Sequence, residues 1–291
     1  MCDNTAPAPD HTARLFFKRA CGHDRTLHPR YNPRENERLD DQAATLVDLL
    51  HSDTHYPAGS RVLEAGCGVG AQTITLAARS PDARFTSIDI SAESVAQARQ
   101  RVNAAGYGNV EFQQADIFSL PFEAASFDHV FVCFVLEHLA QPVEALKILR
   151  KLLKPGGTLT VIEGDHGLTC FHPDNPAARE AVQCQVDLQK MAGGNALIGR
   201  QLHPLMVAAR LDAVRVSPRM VYVDGSKPDW AEGFTRNTFT AMIQGLRGSA
   251  VAAGLIDAQR FDEGIRGLLR TAQADGVFCY TFFKGVGVCA K

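Results

Sequence analysis

Glu64-Ala65-Gly66-Cys67-Gly68-Val69-Gly70 is the segment whose residue types and spacing most directly imply chemistry. Glycines at alternate positions permit a tight turn and let backbone amides approach a ligand closely. The strand-like RVLEAG precedes the loop and the helical AQTITLAARS follows it. That places it at the carboxyl end of a strand, where open α/β sheets bind ligands. Asp89 comes about twenty residues later, near the end of the second strand, where an acid binds a ribose. Ser91 already suits the N-cap of the next helix, which weakens a capping role for Asp89. Gly66, Gly68 and Ala71 also fit the dinucleotide pattern G-x-G-x-x-A, so a nicotinamide-dependent oxidoreductase stays open.

A second group lies further along. Glu163, Asp165 and His166 cluster after the apolar TLTVI. Acids there could hold an ammonium or guanidinium group of a substrate, and His166 could serve as a base. A metal pair from Asp165 and His166 would need further ligands, and no metal is expected. Arg200 suits either bidentate binding of a carboxylate or a surface or N-cap role. Tyr222, Trp230, Phe234, Phe239 and Phe282 could line a cavity, with ordinary core packing as the default. His51 and His55 are four residues apart, but Pro57 follows and an exposed loop is expected. Cysteines stand at positions 2, 21, 67, 133, 170, 184, 279 and 289, with no CxxC. Several sit in apolar runs, as buried reduced thiols do.

The elements that must position these residues alternate. Strands are expected in RVLEAG, FTSIDI, VEFQQAD, FDHVFVCFV and TLTVIEG. Between them lie helical stretches, among them SAESVAQARQRVNAAG, with Ser91 as N-cap and Gly106 as stop, and VEALKILRKLL. Strands alternating with helices imply parallel βαβ units. The near-continuous apolar character of FDHVFVCFV implies burial on both faces. Residues 176–210 read as helical with a break at Gly193-Gly194, and 213–224 and 277–290 as two more strands. Before the first strand, Thr12–Cys21 and Glu35–His51 read as helices, separated by turn chemistry at 28–33.

Composition bounds the function. The chain has 291 residues, 45% hydrophobic and 21% charged, with net charge −2, which excludes bulk disorder. The charge balance argues against a dedicated nucleic-acid binder. No apolar run reaches the roughly 18 residues of a membrane helix, and the N-terminus has acids and prolines where a signal peptide needs a positive start. A soluble, cytoplasmic protein without membrane or nucleic-acid partners is expected.

Taken in order, Glu64, the glycine loop, Asp89, Asp116 in QADIF, Leu120-Pro121-Phe122, Ser126-Phe127-Asp128, Leu136-Glu137-His138-Leu139 and Leu153-Lys154-Pro155-Gly156-Gly157 form a specific set. Over residues 60–163 the chain resembles the class I S-adenosylmethionine-dependent methyltransferases, of the small-molecule type that includes ubiquinone/menaquinone methyltransferases. The resemblance covers about a third of the chain. It implies that Glu64 and Gly66, Cys67, Gly68 and Gly70 hold the methionine end of the cofactor. Asp89 would take both ribose hydroxyls, with Ile90 against the adenine. Asp116 would bond the adenine amine, with Ile117 stacking. Cys133, Phe134 and Val135 would border the sulfonium. In related enzymes an N-terminal segment folds over the cofactor, which makes Tyr31 a candidate contact, near Arg34 and Gln42. His138 would lie close to the methyl donor and is a candidate base, although LEHL-type sequences occur in the family without one. Asp128 precedes its strand and reads as structural.

The expectation is therefore an α/β, Rossmann-like class I methyltransferase fold. Its seven-stranded sheet would have order 3-2-1-4-5-7-6, with helical cap insertions. Residues 1–58 would form an N-terminal helical segment over the cofactor, 59–164 the cofactor-binding core, and 165–291 the cap and last two strands. The implied activity is methyl transfer from S-adenosylmethionine to N, O or S of a small molecule by in-line displacement, with Glu163, Asp165, Arg200 and Tyr222 toward the substrate. A macromolecular methyltransferase, or a protein that holds the cofactor for cyclisation or regulation, is the alternative. The sequence leaves the oligomeric state undetermined.

Overall fold

A computed structural model describes residues 46–290. Tyr31, Arg34 and Gln42, the 12–21 helix and most of the 35–51 helix lie outside the described residues.

Seven strands form one sheet of order β3-β2-β1-β4-β5-β7-β6. They are β1 (Arg61–Ala65), β2 (Arg84–Asp89), β3 (Val110–Gln114), β4 (Phe127–Cys133), β5 (Leu153–His172), β6 (Asp212–Val223) and β7 (Val277–Val288). β1 to β5 pair in parallel, and β7 runs antiparallel to both β5 and β6. The expected order and the reversed β7 are both found. β1 and β4 occupy the middle, and their side chains supply both faces. Val62 and Phe131 point into one core with Leu46, Leu50 and Phe85, whereas Leu63, Val130 and Val132 point into the other with Leu149 and Leu159.

Helices α1 (Ala71–Arg79), α2 (Ala92–Ala104) and α3 (Pro142–Lys151) make the crossovers. α2 starts where Ser91 accepts the Ser94 amide at 3.2 Å and stops before Gly106, as their residue types dictate. α4 (Pro176–Met191) ends before Gly193-Gly194, and α5 (Leu202–Ala208) follows a short 3₁₀ turn. Between β6 and β7 lie a π-helix, Ala231–Thr240, three short helices, and α6 (Ala258–Arg270). α6 lies close against α4: a Cβ on Gly264 would stand 2.4 Å from the Ala177 carbonyl oxygen.

β5 exceeds the expected TLTVIEG at both ends, beginning already at Leu153. β5 does not stop at Gly164 but resumes after a bulge and continues to His172. There Cys170, Phe171 and His172 pair with Cys279, Phe278 and Val277. The partner strand is a hundred residues away in sequence, so local patterning carries no sign of the extension.

Candidate functional site

The glycine loop turns immediately beyond β1. Gly66, Gly68 and Gly70 all have positive φ, at 81°, 50° and 83°. The Gly66 and Cys67 amides donate to the Ile88 carbonyl at 2.8 and 2.9 Å, tying the loop to β2. Gly66 has a second constraint: a Cβ there would stand 2.3 Å from Val135 Cγ2. The loop can therefore lie against the end of β4 only with hydrogen at that position.

Asp89 closes the loop from the β2 side. Its Oδ2 accepts the Gly68 amide and its Oδ1 the Ser91 amide, each at 2.9 Å. Beneath the loop, Glu64 is buried, and one of its oxygens accepts from both Thr73 at 2.7 Å and Ser87 at 2.6 Å. Burial outweighs these two bonds and raises its carboxyl to about 7. Beyond β3, the exposed Asp116 accepts the Phe118 amide at 2.8 Å. Ile117 is buried, while Ile90 is half exposed.

The end of β4 forms the next wall. Burial, followed by the nearby Glu163, pushes the Cys133 thiol well above its ordinary value. Phe134 adopts φ 57°, left-handed for a non-glycine residue, and its ring centroid is 5.4 Å from that of Phe282. Glu163 supports this turn from β5: its Oε1 accepts the Val135 amide at 3.0 Å and the Leu136 amide at 2.7 Å. Its Oε2 is buried with no hydrogen-bond partner among the described residues. Burial, then the charge of Glu137, raises the Glu163 carboxyl well above the carboxylate range. Sequence reading assigned Glu163 to substrate; the brace on the 135–138 turn is additional and has no local signature.

Asp165 and Arg200 meet each other. The buried Asp165 accepts from Arg200 Nη2 at 2.6 Å, from Arg200 Nε, and from the Gly167 amide at 3.0 Å. The sequence points each of them separately toward substrate; in the structure they form one bidentate pair. His166 is buried, with its ring centroid 5.4 Å from Tyr280 and 6.1 Å from Phe239. From Phe134 the ring contacts run through Phe282, Tyr280 and His166 to Phe239, and Phe234 joins them at 6.1 Å from Phe282. His138 is separate from this group: its side chain is 63% exposed, and its Nε2 lies 3.5 Å from Glu137 Oε1. Tyr222 is not brought to the site. It is 41% exposed, on the opposite face of β6 from the buried Val221 and Val223, and Lys227 lies over its ring.

Two positions depart from the sequence reading or escaped it. His51 is not in an exposed loop. It ends a helical turn anchored by Leu46 and Leu50, packs 5.8 Å from the Phe131 ring and lies 2.7 Å from Gln72 Oε1. Burial lowers its imidazole to about 4. His55 does remain exposed. Lys284 was missed. It is buried in β7 and donates to Asp53 at 2.7 Å, Thr54 at 2.6 Å and the Leu50 carbonyl at 3.1 Å. A lone lysine in the apolar YTFFKGVGV was its only signal.

Residues 57–206 match the family model described as a methyltransferase domain. The chain belongs to the methyltransferase-domain family. That family draws its methyl group from S-adenosylmethionine. Among curated relatives, an uncharacterised 37.1 kDa protein in transposon TN4556 of Streptomyces fradiae is 38% identical over 64% of this chain and 54% of its own length. The 27-O-demethylrifamycin SV methyltransferase of Amycolatopsis mediterranei is 33% identical over 53% of this chain and 55% of its own. The chain thus spans about half the length of these relatives. Among solved structures, a phosphoethanolamine N-methyltransferase of Haemonchus contortus, in complex with phosphomonomethylethanolamine and S-adenosylhomocysteine, superposes with a TM-score of 0.54. It is 16% identical and covers 86% of this chain and 53% of that one. This likeness is one of fold. No helix among the described residues is long and apolar enough to cross a membrane.

Proposed function

We propose that this methyltransferase-family chain moves a methyl group from S-adenosylmethionine to N, O or S of a small molecule. The residues present suit such a donor. Asp89 and Asp116 offer carboxylate acceptors at the ends of adjacent strands, Ile90 and Ile117 offer apolar flanks for a base, and the lack of a side chain at Gly66 lets the loop lie tight against Val135. Held there, such a donor would supply a methyl group activated by its sulfonium.

The chain's own work is then positioning and exclusion of water. Asp89 orients the ribose and simultaneously fixes the glycine loop. Glu163 holds the 135–138 turn, next to Phe134 and its contact with Phe282. His138 and His166 are the candidate bases for an acceptor that arrives protonated.

The observation that carries the small-molecule reading is the seating of Phe234 and Phe239, from the π-helix, on Tyr280 and Phe282 next to Phe134. Helices inserted between β6 and β7 thereby cover the approach to the end of β4, which favours an acceptor small enough to enter beneath them. The test is calorimetric titration with S-adenosylhomocysteine, with NADH as control, followed by labelled-methyl transfer to amines, phenols, thiols and carboxylates. Binding of S-adenosylhomocysteine with transfer to a small acceptor is expected. Binding of NADH alone, or transfer only to protein or nucleic acid, overturns the proposal.

A further inference from the structure

Beyond the bulge in β5, pairing with β7 resumes with a cysteine opposite a cysteine, Cys170 against Cys279. The next pair, Phe171 and Phe278, is buried. Side chains alternate along a strand, so the two thiols share the opposite, outward face. Cys170 is exposed and Cys279 half buried. Burial, followed by a hydrogen bond with Cys170, raises the Cys279 thiol to about 11. Directly opposed residues of an antiparallel pair hold their Cβ atoms about 4.5–5.5 Å apart. A disulfide requires about 3.5–4.5 Å, so a small closing of the strands suffices.

We propose that Cys170 and Cys279 form a reversible dithiol–disulfide site, with Cys170 as the thiol that attacks a peroxide and Cys279 as the resolving thiol. The exposed Cys170, as thiolate, attacks one peroxide oxygen; the O–O bond breaks, hydroxide leaves and a sulfenic acid forms. Cys279 then attacks that sulfur as its own proton leaves, the S–O bond breaks, water departs, and the disulfide joins β5 to β7. Two thiols are oxidised and one peroxide is reduced to two waters. A low-molecular-weight thiol reverses the step by exchange.

The location gives the bond a consequence. Four β5 residues, 166–169, lie opposite Tyr280 alone between the Asp165–Thr281 and Cys170–Cys279 pairs. The bulge that carries His166 is therefore closed on its far side by the two cysteines. The disulfide would clamp that end and close a loop of about 110 residues, which raises stability by restricting the unfolded chain. This inference does not depend on the methyl acceptor.

The test uses the full chain, reduced and then treated with stoichiometric hydrogen peroxide. Non-reducing peptide mapping is expected to show a peptide linking residues 170 and 279, abolished by dithiothreitol. A dimedone adduct is expected on Cys170 in Cys279→Ser and not in the wild type. The oxidised wild type should melt several degrees above the reduced form, a difference that Cys170→Ser lacks. Over-oxidation of Cys170 without a linked peptide, pairing of Cys170 with any other cysteine, or a Cys279→Ser protein without the dimedone adduct overturns the proposal.

Discussion

Asp89 holds Gly68: its Oδ2 accepts the Gly68 amide at 2.9 Å while Oδ1 accepts the Ser91 amide. One carboxylate thus links the glycine loop, the end of β2 and the start of α2. Asp89→Ala removes these ties together with the proposed ribose acceptor. Charged hydrogen bonds contribute about 1.5–3 kcal/mol. S-adenosylhomocysteine affinity measured by calorimetry should fall accordingly, on the order of ten- to a hundredfold. A folded variant with unchanged affinity would remove Asp89 from the cofactor site.

Gly66→Ala tests the contact between the loop and Val135. The backbone there has φ 81°, and the added methyl would stand 2.3 Å from Val135 Cγ2. A left-handed non-glycine residue costs about 1–3 kcal/mol, and a forced contact of this kind adds a similar amount. Urea unfolding should show a loss on that order, and cofactor affinity should drop with it. Unchanged stability would mean that Val135 moves aside freely.

Glu64 makes stability depend on pH. Its carboxyl is raised from 4.5 to about 7, chiefly by burial. The native state keeps the proton longer than the unfolded chain does. The contribution is therefore full below pH 4.5 and is lost as pH rises through about 7. The difference in unfolding free energy between wild type and Glu64→Gln isolates it, because other groups cancel. His51, lowered to about 4, would otherwise act with the opposite sign. Between pH 4.5 and 7.5 the wild type should lose ground to the variant, by at most about 3 kcal/mol. A pH-independent difference would contradict the assignment.

Lys284 ties the segment ending the first described helical turn to the sheet through Leu50, Asp53 and Thr54. Asp53 is half exposed and also accepts from Arg219, so loss of Lys284 strands little charge. Lys284→Met keeps most of the buried volume and should cost about 1–3 kcal/mol through the unpaired acceptors. Limited proteolysis should cut more readily near residues 50–55. Wild-type resistance and stability would show that apolar packing of Leu46 and Leu50 alone holds the segment.

His138→Ala should give folded protein with S-adenosylhomocysteine affinity retained, since the side chain is mostly exposed. The pH profile of methyl transfer decides its role. A loss of rate with a lost acidic limb fits a base; activity that survives untouched excludes one.

The strand and helix alternation of residues 60–163 and the position of the Gly66–Gly70 loop beyond β1 were legible in the sequence. They depend on local quantities: apolar period, the Ser91 cap, the Gly106 stop and glycines where φ must be positive. Even the reversed seventh strand could be read, because VFCYTFFKGVGVCA patterns strongly and the resemblance supplied the order. The rest depended on which distant residues become neighbours. Nothing near Asp165 announces Arg200 as its partner, and nothing near Glu163 announces the Val135 and Leu136 amides. The extension of β5 exists because β7 lies beside it, and Lys284 is satisfied by residues more than two hundred positions earlier. Periodicity and turn chemistry act over a few residues and survive in one dimension. Charge pairing, burial of Glu64 and Glu163, and the meeting of Cys170 with Cys279 require the closed sheet, so only the tertiary structure decided them.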